Sequence, residues 1–127
     1  MTPAEKSIVK SLVAVAWADG TVQEPEAGAI ETLLWAFGAT DKDEEDIRAY
    51  ATKPRRIEDI PLEDLGPDDR EVLLAHAALL THADGEQSKE EQKVLATLVK
   101  RLQLQDAKAR DIIKTARDRA QKLASRL

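Results

Sequence analysis

The sequence predicts an all-α fold, a compact bundle of about six to seven helices built from two similar helical hairpins. Three observations predict it. Apolar residues recur at helical spacing in successive stretches along the chain, as in Ile8, Leu12, Val15 and Ala16. Hydrophobic content is 43% with only 3% aromatic residues, so the core has to be aliphatic, a composition suited to packed helices. The phrase Ala18-Asp19-Gly20 followed by Glu26 returns 65 residues later as Ala83-Asp84-Gly85 followed by Glu91. Aligning residues 12–34 with 77–99 gives six identities, and Ile30/Leu95 and Leu34/Val99 stay apolar, the mark of a tandem repeat.

At 127 residues the chain has the length of one domain, enough to bury roughly 68% of its unfolded surface. Within it, pseudo-repeats at about 5–38 and 69–104 are joined by a connector at 53–67 and followed by a basic helix at 105–127. Thr2 and Pro3 open the first helix as a capping hydroxyl and a first-turn proline, and Val9 and Val13 widen its apolar stripe. The helix ends at Gly20. A second runs from near Glu24-Pro25 through Ile30, Leu33, Leu34 and Phe37 to Gly38, and Trp17 and Trp35 read as core or hairpin-packing residues. Asp41, Asp43, Glu44, Glu45 and Asp46 form the first turns of a third helix capped by Thr40 or Asp41, where acids complement the helix dipole; a dedicated cation or partner patch is the other reading of this stretch.

Pro54, Pro61, Gly66 and Pro67 break up the connector, which Ile57, Ile60, Leu62 and Leu65 should pin to the core, with Arg55 and Arg56 as surface charges. Beyond it comes a helix headed by Pro67, Asp68 or Asp69, whose apolar side includes Val72, Leu73, Ala77, Leu79 and Leu80. Ser88 to Glu91 has the spacing of a capping box, opening a helix through Val94, Leu95, Leu98, Val99 and Leu102. The last helix carries Ala109, Ile112, Ile113, Ala116, Ala120, Leu123 and Leu127 on one stripe and should dock across the two hairpins.

The repeated phrase raises an electrostatic problem. Glycine just past a helical run is the usual left-handed terminator. An aspartate at that place meets unpaired carbonyls and the negative end of the helix dipole, at a cost of roughly 0.3 to 1 kcal/mol. Either Asp19 and Asp84 fold back onto backbone N–H groups of their own turns, or a bound cation neutralises carboxylate and carbonyls together. The Gly20–Glu26 and Gly85–Glu91 spacings equal that from the sixth-position glycine to the bidentate glutamate of an EF-hand loop. The first half of such a loop is missing, because Val15 and Trp17, or Leu80 and His82, occupy its first and third ligand places. A metal set of Asp19, Glu26, Asp84 and Glu91 would therefore need both copies or many waters. Calcium and magnesium are the natural candidates for all-oxygen ligands. The rival role for Glu91 is the capping box.

A helical run ending in Ala-Asp-Gly, a short gap and a Glu opening the next helix, present twice, resembles the tellurite-resistance TerB-like domains. Residues 7–40 are similar to the first half of such a domain, and Asp68-Asp69-Arg70 through Ala83-Asp84-Gly85 to Leu104 to the second. The resemblance implies an all-helical fold with an acidic, metal-binding patch at Asp19, Glu26, Asp84 and Glu91. It also implies association with bacterial stress-response or envelope-linked systems, including peripheral attachment to a membrane complex.

Composition narrows the function further. The absence of cysteine removes disulfides, thiolate metal sites and cysteine nucleophiles. His76 and His82, the only histidines, are six apart and do not share a helix face. No phosphate-cradling glycine loop, histidine-metal motif or nucleophile elbow is present, which points away from an enzyme. Residues 1–92 hold 21 acids and 9 bases, net −12, whereas residues 93–127 hold 3 acids and 10 bases, net +7. The acidic part argues against broad nucleic-acid binding and leaves the basic tail as a minor route to it. Glu5 and Lys6 in the first turn speak against a signal peptide, and no apolar run approaches the roughly 20 residues of a membrane span. The expectation is a cytoplasmic, non-catalytic domain that binds a divalent cation weakly and associates with protein partners. The alternative is a metal-independent interaction module whose Asp-Gly turns only terminate helices.

Overall fold

The computed structural model describes residues 1–18, 24–81 and 89–126, apart from the side chains of residues 24–26, 90–91, 120 and 123–126. The described residues form six α-helices and no strand: α1 (Pro3–Trp17), α2 (Glu24–Ala36), α3 (Asp41–Ala51), α4 (Pro67–Thr81), α5 (Lys89–Leu102) and α6 (Asp106–Arg126), with two 3₁₀ turns at Ile57–Asp59 and Leu62–Asp64. The all-α bundle expected from the aliphatic periodicity is what forms. No helix among the described residues is long and apolar enough to cross a membrane.

Local chemistry sets the helix ends. Thr2 caps α1, its hydroxyl accepting from the Glu5 amide while the Glu5 carboxylate accepts from the Thr2 amide. Thr40 and Asp43 make the same reciprocal box at α3. At α4 the Asp69 carboxylate accepts from the Gly66 amide, and Pro67 supplies the first helical residue. α1 sits at the centre, with Ser7 to Val9 and Ser11 to Ala16 all buried. α4 is packed against it and is buried through Leu73, Leu74, Ala77, Ala78, Leu80 and Thr81.

The 65-residue offset of the Ala-Asp-Gly phrases also relates structural details far from them. α2 and α5 begin 65 apart, as do α3 and α6. Both α2 and α5 end in a Schellman turn: Ala39 N donates to Leu34 O and Gly38 N to Trp35 O, while Leu104 N donates to Val99 O and Gln103 N to Lys100 O. The left-handed residue is Gly38 at φ 69° in one and Gln103 at φ 59° in the other. Thr32 donates its hydroxyl back to Gly28 O at 3.0 Å, and Thr97 to Lys93 O at 2.9 Å. Ile8, Val9, Leu12 and Val13 of α1 and their counterparts Leu73, Leu74, Ala77 and Ala78 of α4 are all buried.

Each first helix also holds its third helix in the same way. Lys6 pairs with Asp46 at 2.7 Å and Asp43 at 3.9 Å, Lys10 lies over the Tyr50 ring, and Trp17 Nε1 donates to Ala51 O, so α1 and α3 run side by side in the same direction. Glu71 pairs with Lys108 at 3.2 Å, 65 residues beyond Lys6 and Asp43, with the charges exchanged. The molecule is thus two three-helix units, α1–α3 and α4–α6, whose first helices form the shared centre. In both, the first helix carries the second and third, and these two scarcely touch each other.

The connector is held by buried Ile57, Ile60 and Leu65, with Leu62 half-buried, as its sequence suggests. Arginines add the polar part. Arg70 donates to Leu65 O at 3.0 Å, Leu62 O at 3.1 Å and Leu102 O at 3.2 Å, joining α4, the connector and the end of α5. Arg101 donates to Glu58 O and Ile60 O, both at 2.9 Å. Arg55 is more than the surface charge expected: it donates to Tyr50 O and stacks 3.8 Å over the Tyr50 ring. Trp35 departs from its expected packing role and is 83% exposed. It shares the outer face of α2 with Glu31 and Thr32, while Ile30 and Leu34, on the opposite side of the turn, enter the core.

Two stability measurements follow. Gln103→Gly should raise stability by roughly 0.5 to 1 kcal/mol and Gly38→Ala lower it by about 1 kcal/mol, since a side chain costs that much in the left-handed region. Nothing lies within 4 Å of a Cβ built on Gly38, so the latter loss is one of backbone conformation alone. Urea unfolding with an unchanged m-value checks both. Arg70→Lys should destabilise by roughly 1 to 3 kcal/mol, because an ammonium cannot reach three carbonyls of a planar fork.

Candidate functional site

Asp19 and Asp84, together with the side chains of Glu26 and Glu91, lie outside the described residues, as do Ser88 and His82. The described helices bracket them: α1 ends at Trp17 and α2 begins at Glu24, and α4 ends at Thr81 and α5 begins at Lys89. Among the described residues, no group of three or more His, Asp or Glu side chains could hold a metal ion.

Three of the five acids at the start of α3, Asp43, Glu44 and Asp46, are engaged within the fold. The Thr40 backbone hydrogen bond, foremost, lowers the pKa of Asp43, and the hydrogen bond from Lys6 lowers that of Asp46. Arg48 pairs with Glu31 at 3.3 Å and Glu44 at 3.7 Å. These acids therefore serve the helix dipole and the α1–α3 and α2–α3 junctions. Tyr50, between Arg55 and Lys10, has its phenol pKa raised, mainly by burial. His76 packs edge-on against Phe37 with ring centroids 6.3 Å apart, and burial pushes its imidazole pKa below the ordinary 6.5.

Among the described residues, a groove of about 650 Å³ lies between α5 and α6. Leu95 and Ala109 are buried in its floor, and Val99 and Ile113 are half-buried there. Among the described residues, Lys100, Arg110, Lys114 and Arg117 line its edges, against a single acid, Asp106. A second groove of about 430 Å³ runs along the other flank of α6, over Val72, Ala75, Leu79 and Ile112. Its walls carry Glu71, Asp111, Lys108 and Arg119 in charge balance, and Val72 is 41% exposed there.

The internal repeat explains why the first groove is open. In the α1–α3 unit the equivalent seam is spanned by the Glu31–Arg48 ion pair. Sixty-five residues on, these two positions are Ala96 and Ile113, both lining the groove. A methyl and a branched apolar group stand here where the first unit has two long ion-pairing side chains. Sequence reasoning finds the apolar stripe of α6 but not this groove. The signal lies in carrying the 65-residue offset past residue 34, to Glu31/Ala96 and Arg48/Ile113 read together. Compared with protein-family models, curated proteins and solved structures, the chain matches none.

His76 gives a pH dependence with a definite sign. Its folded pKa lies below the unfolded value, so the unfolded chain binds more protons in the interval between them. The contribution is complete above pH 6.5 and is lost as pH falls through the folded value. Stability measured by urea unfolding should therefore decline on acidification below pH 6.5, and His76→Gln should flatten that part of the profile.

Proposed function

We propose that the chain is a non-catalytic, TerB-like helical domain of the bacterial cytoplasm. It works by associating with other proteins in a stress-response system of the tellurite-resistance kind and binds a divalent cation weakly at its Asp-Gly corners. The observation that carries the association reading is the open, apolar-floored α5–α6 groove, where the other unit closes the same seam with an ion pair. Contiguous concave apolar surface edged by polar groups is the ordinary mark of an interaction site. The tagged chain expressed in its native cells should co-purify with a stoichiometric partner that persists through gel filtration. Recovery of the chain alone would count against association.

Support for the cation comes from sequence position: Asp19 and Asp84 follow α1 and α4 closely in the chain, and Glu26 and Glu91 belong to the first turns of α2 and α5. The alternative is a metal-independent domain whose Asp-Gly turns only terminate helices. Thermal melting separates the two. A specific site should raise the midpoint in millimolar calcium or magnesium, with about 2.7 kcal/mol gained at a hundredfold excess over Kd. Asp84→Asn should remove that increment, and an unchanged midpoint in either ion selects the metal-independent domain.

A further inference from the structure

We infer that the α5–α6 groove receives an acidic amphipathic helix of a partner protein. The inference rests on the association reading above and specifies the chemistry of the partner. The shape comes first: α5 and α6 both rest on α4 but scarcely touch each other, which leaves an elongated trough rather than an enclosed cavity. Ala96, Val99 and Ile113 present apolar surface above the buried Leu95, the surface that anchors at i, i+3, i+4 and i+7 of a docked helix require.

Charge then selects among helices. Lys100, Arg110, Lys114 and Arg117 stand along the two walls, with Asp106 as the only acid among the described lining residues. Lys100, Arg110 and Lys114 have no carboxylate within 4.0 Å among the described residues, whereas two of the four basic residues of the α1–α3 helices, Lys6 and Arg48, are matched by Asp46 and Glu31. A helix with glutamates flanking its apolar stripe supplies the missing negative charge, and a basic helix is repelled. The neighbouring α4–α6 groove lacks this bias, since its acids and bases balance and Lys108 is already paired with Glu71. The apolar floor favours a helix over a nucleic acid, which would use the basic walls and leave the floor uncovered.

The first unit also provides the test. Ala96→Glu with Ile113→Arg transplants the Glu31–Arg48 pair into the equivalent positions and should close the trough with side chains the fold already accommodates. The probe is a fluorescent designed peptide with leucines at i, i+3, i+4 and i+7 and glutamates beside them, titrated with the full chain and followed by anisotropy. It should bind, and the double variant should lose at least about tenfold in affinity. Lys114→Glu, an exposed single change, should weaken binding severalfold and reduce its salt dependence. Circular dichroism melting establishes that both variants are folded.

Equal affinity for the double variant and the parent overturns the inference, as does equal affinity for a peptide with lysines in place of the glutamates. Tighter binding of duplex DNA that displaces the peptide assigns the walls to nucleic acid and also overturns it. Concentration-dependent self-association of the chain, lost in the double variant and not accompanied by peptide binding, assigns the groove to a second copy instead. Failure here is distinct from failure of the association reading. A partner that co-purifies equally with the parent and the double variant sinks the groove and leaves association standing.

Discussion

Contact between α1 and α4 is the constraint on which the rest of the structure depends. α1 is buried over most of its circumference, and α4 is buried through Leu73, Leu74, Ala77, Ala78, Leu80 and Thr81 while Val72 stays exposed. Small residues make the arrangement workable: Ser11, Ala14 and Ala16 on α1 and Ala77 and Ala78 on α4 take little space and leave the larger Leu12, Leu73 and Leu74 to interdigitate. Each such leucine contributes roughly 1.5 to 3 kcal/mol on leaving water. A helix buried all round must be covered from several directions, and each first helix is covered by the second and third helices of its own unit and by the other first helix. The 3₁₀ turns of the connector close a further side of α1.

Two units with one architecture carry opposite electrostatics. Where α1 offers Lys6 to Asp43 and Asp46, α4 offers Glu71 to Lys108. A half-exposed pair of this kind contributes little either way, so reversing it leaves the packing intact. The consequence is a change of surface sign. The third helix of the first unit opens with Asp41, Asp43, Glu44 and Glu45, and that of the second carries Lys108, Arg110 and Lys114. The molecule keeps its duplicated interior and presents an acidic face and a basic face to its surroundings.

Class and core were legible because they rest on periodicity. Ile8, Leu12, Val15 and Ala16 are buried, as are Leu73, Ala77 and Leu80, and Thr40 is the cap of α3. The exposure of Trp35 was not legible, because residue type argues for burial while its position opposite Ile30 and Leu34 places it outward, and position prevails. Arg70 could not be recognised either: its three acceptors are backbone carbonyls from separate segments, and a carbonyl leaves no mark in the sequence. The groove needed three dimensions for a similar reason. Its floor reads in sequence as ordinary core stripe on two helices, and only their separation makes it a surface. As for Asp19, Glu26, Asp84 and Glu91, the repeat identifies them as equivalent, and equivalence in sequence says nothing of what their oxygens meet.

A seam between two helices that lean on a third has only a few ways to be completed. Long side chains can reach across it, as Glu31 and Arg48 do, or its apolar floor can be covered by something else. Ala96 is too short and Ile113 too apolar for the first way, and basic side chains on both walls of the trough repel one another rather than draw it shut. Closing it from within would concentrate that like charge, whereas an incoming helix of opposite charge relieves it and covers Val99 and Ile113 in the same step. The absence of the ion pair from the second unit thus leaves its seam open to a partner, without altering the buried α1–α4 contact that holds the fold together.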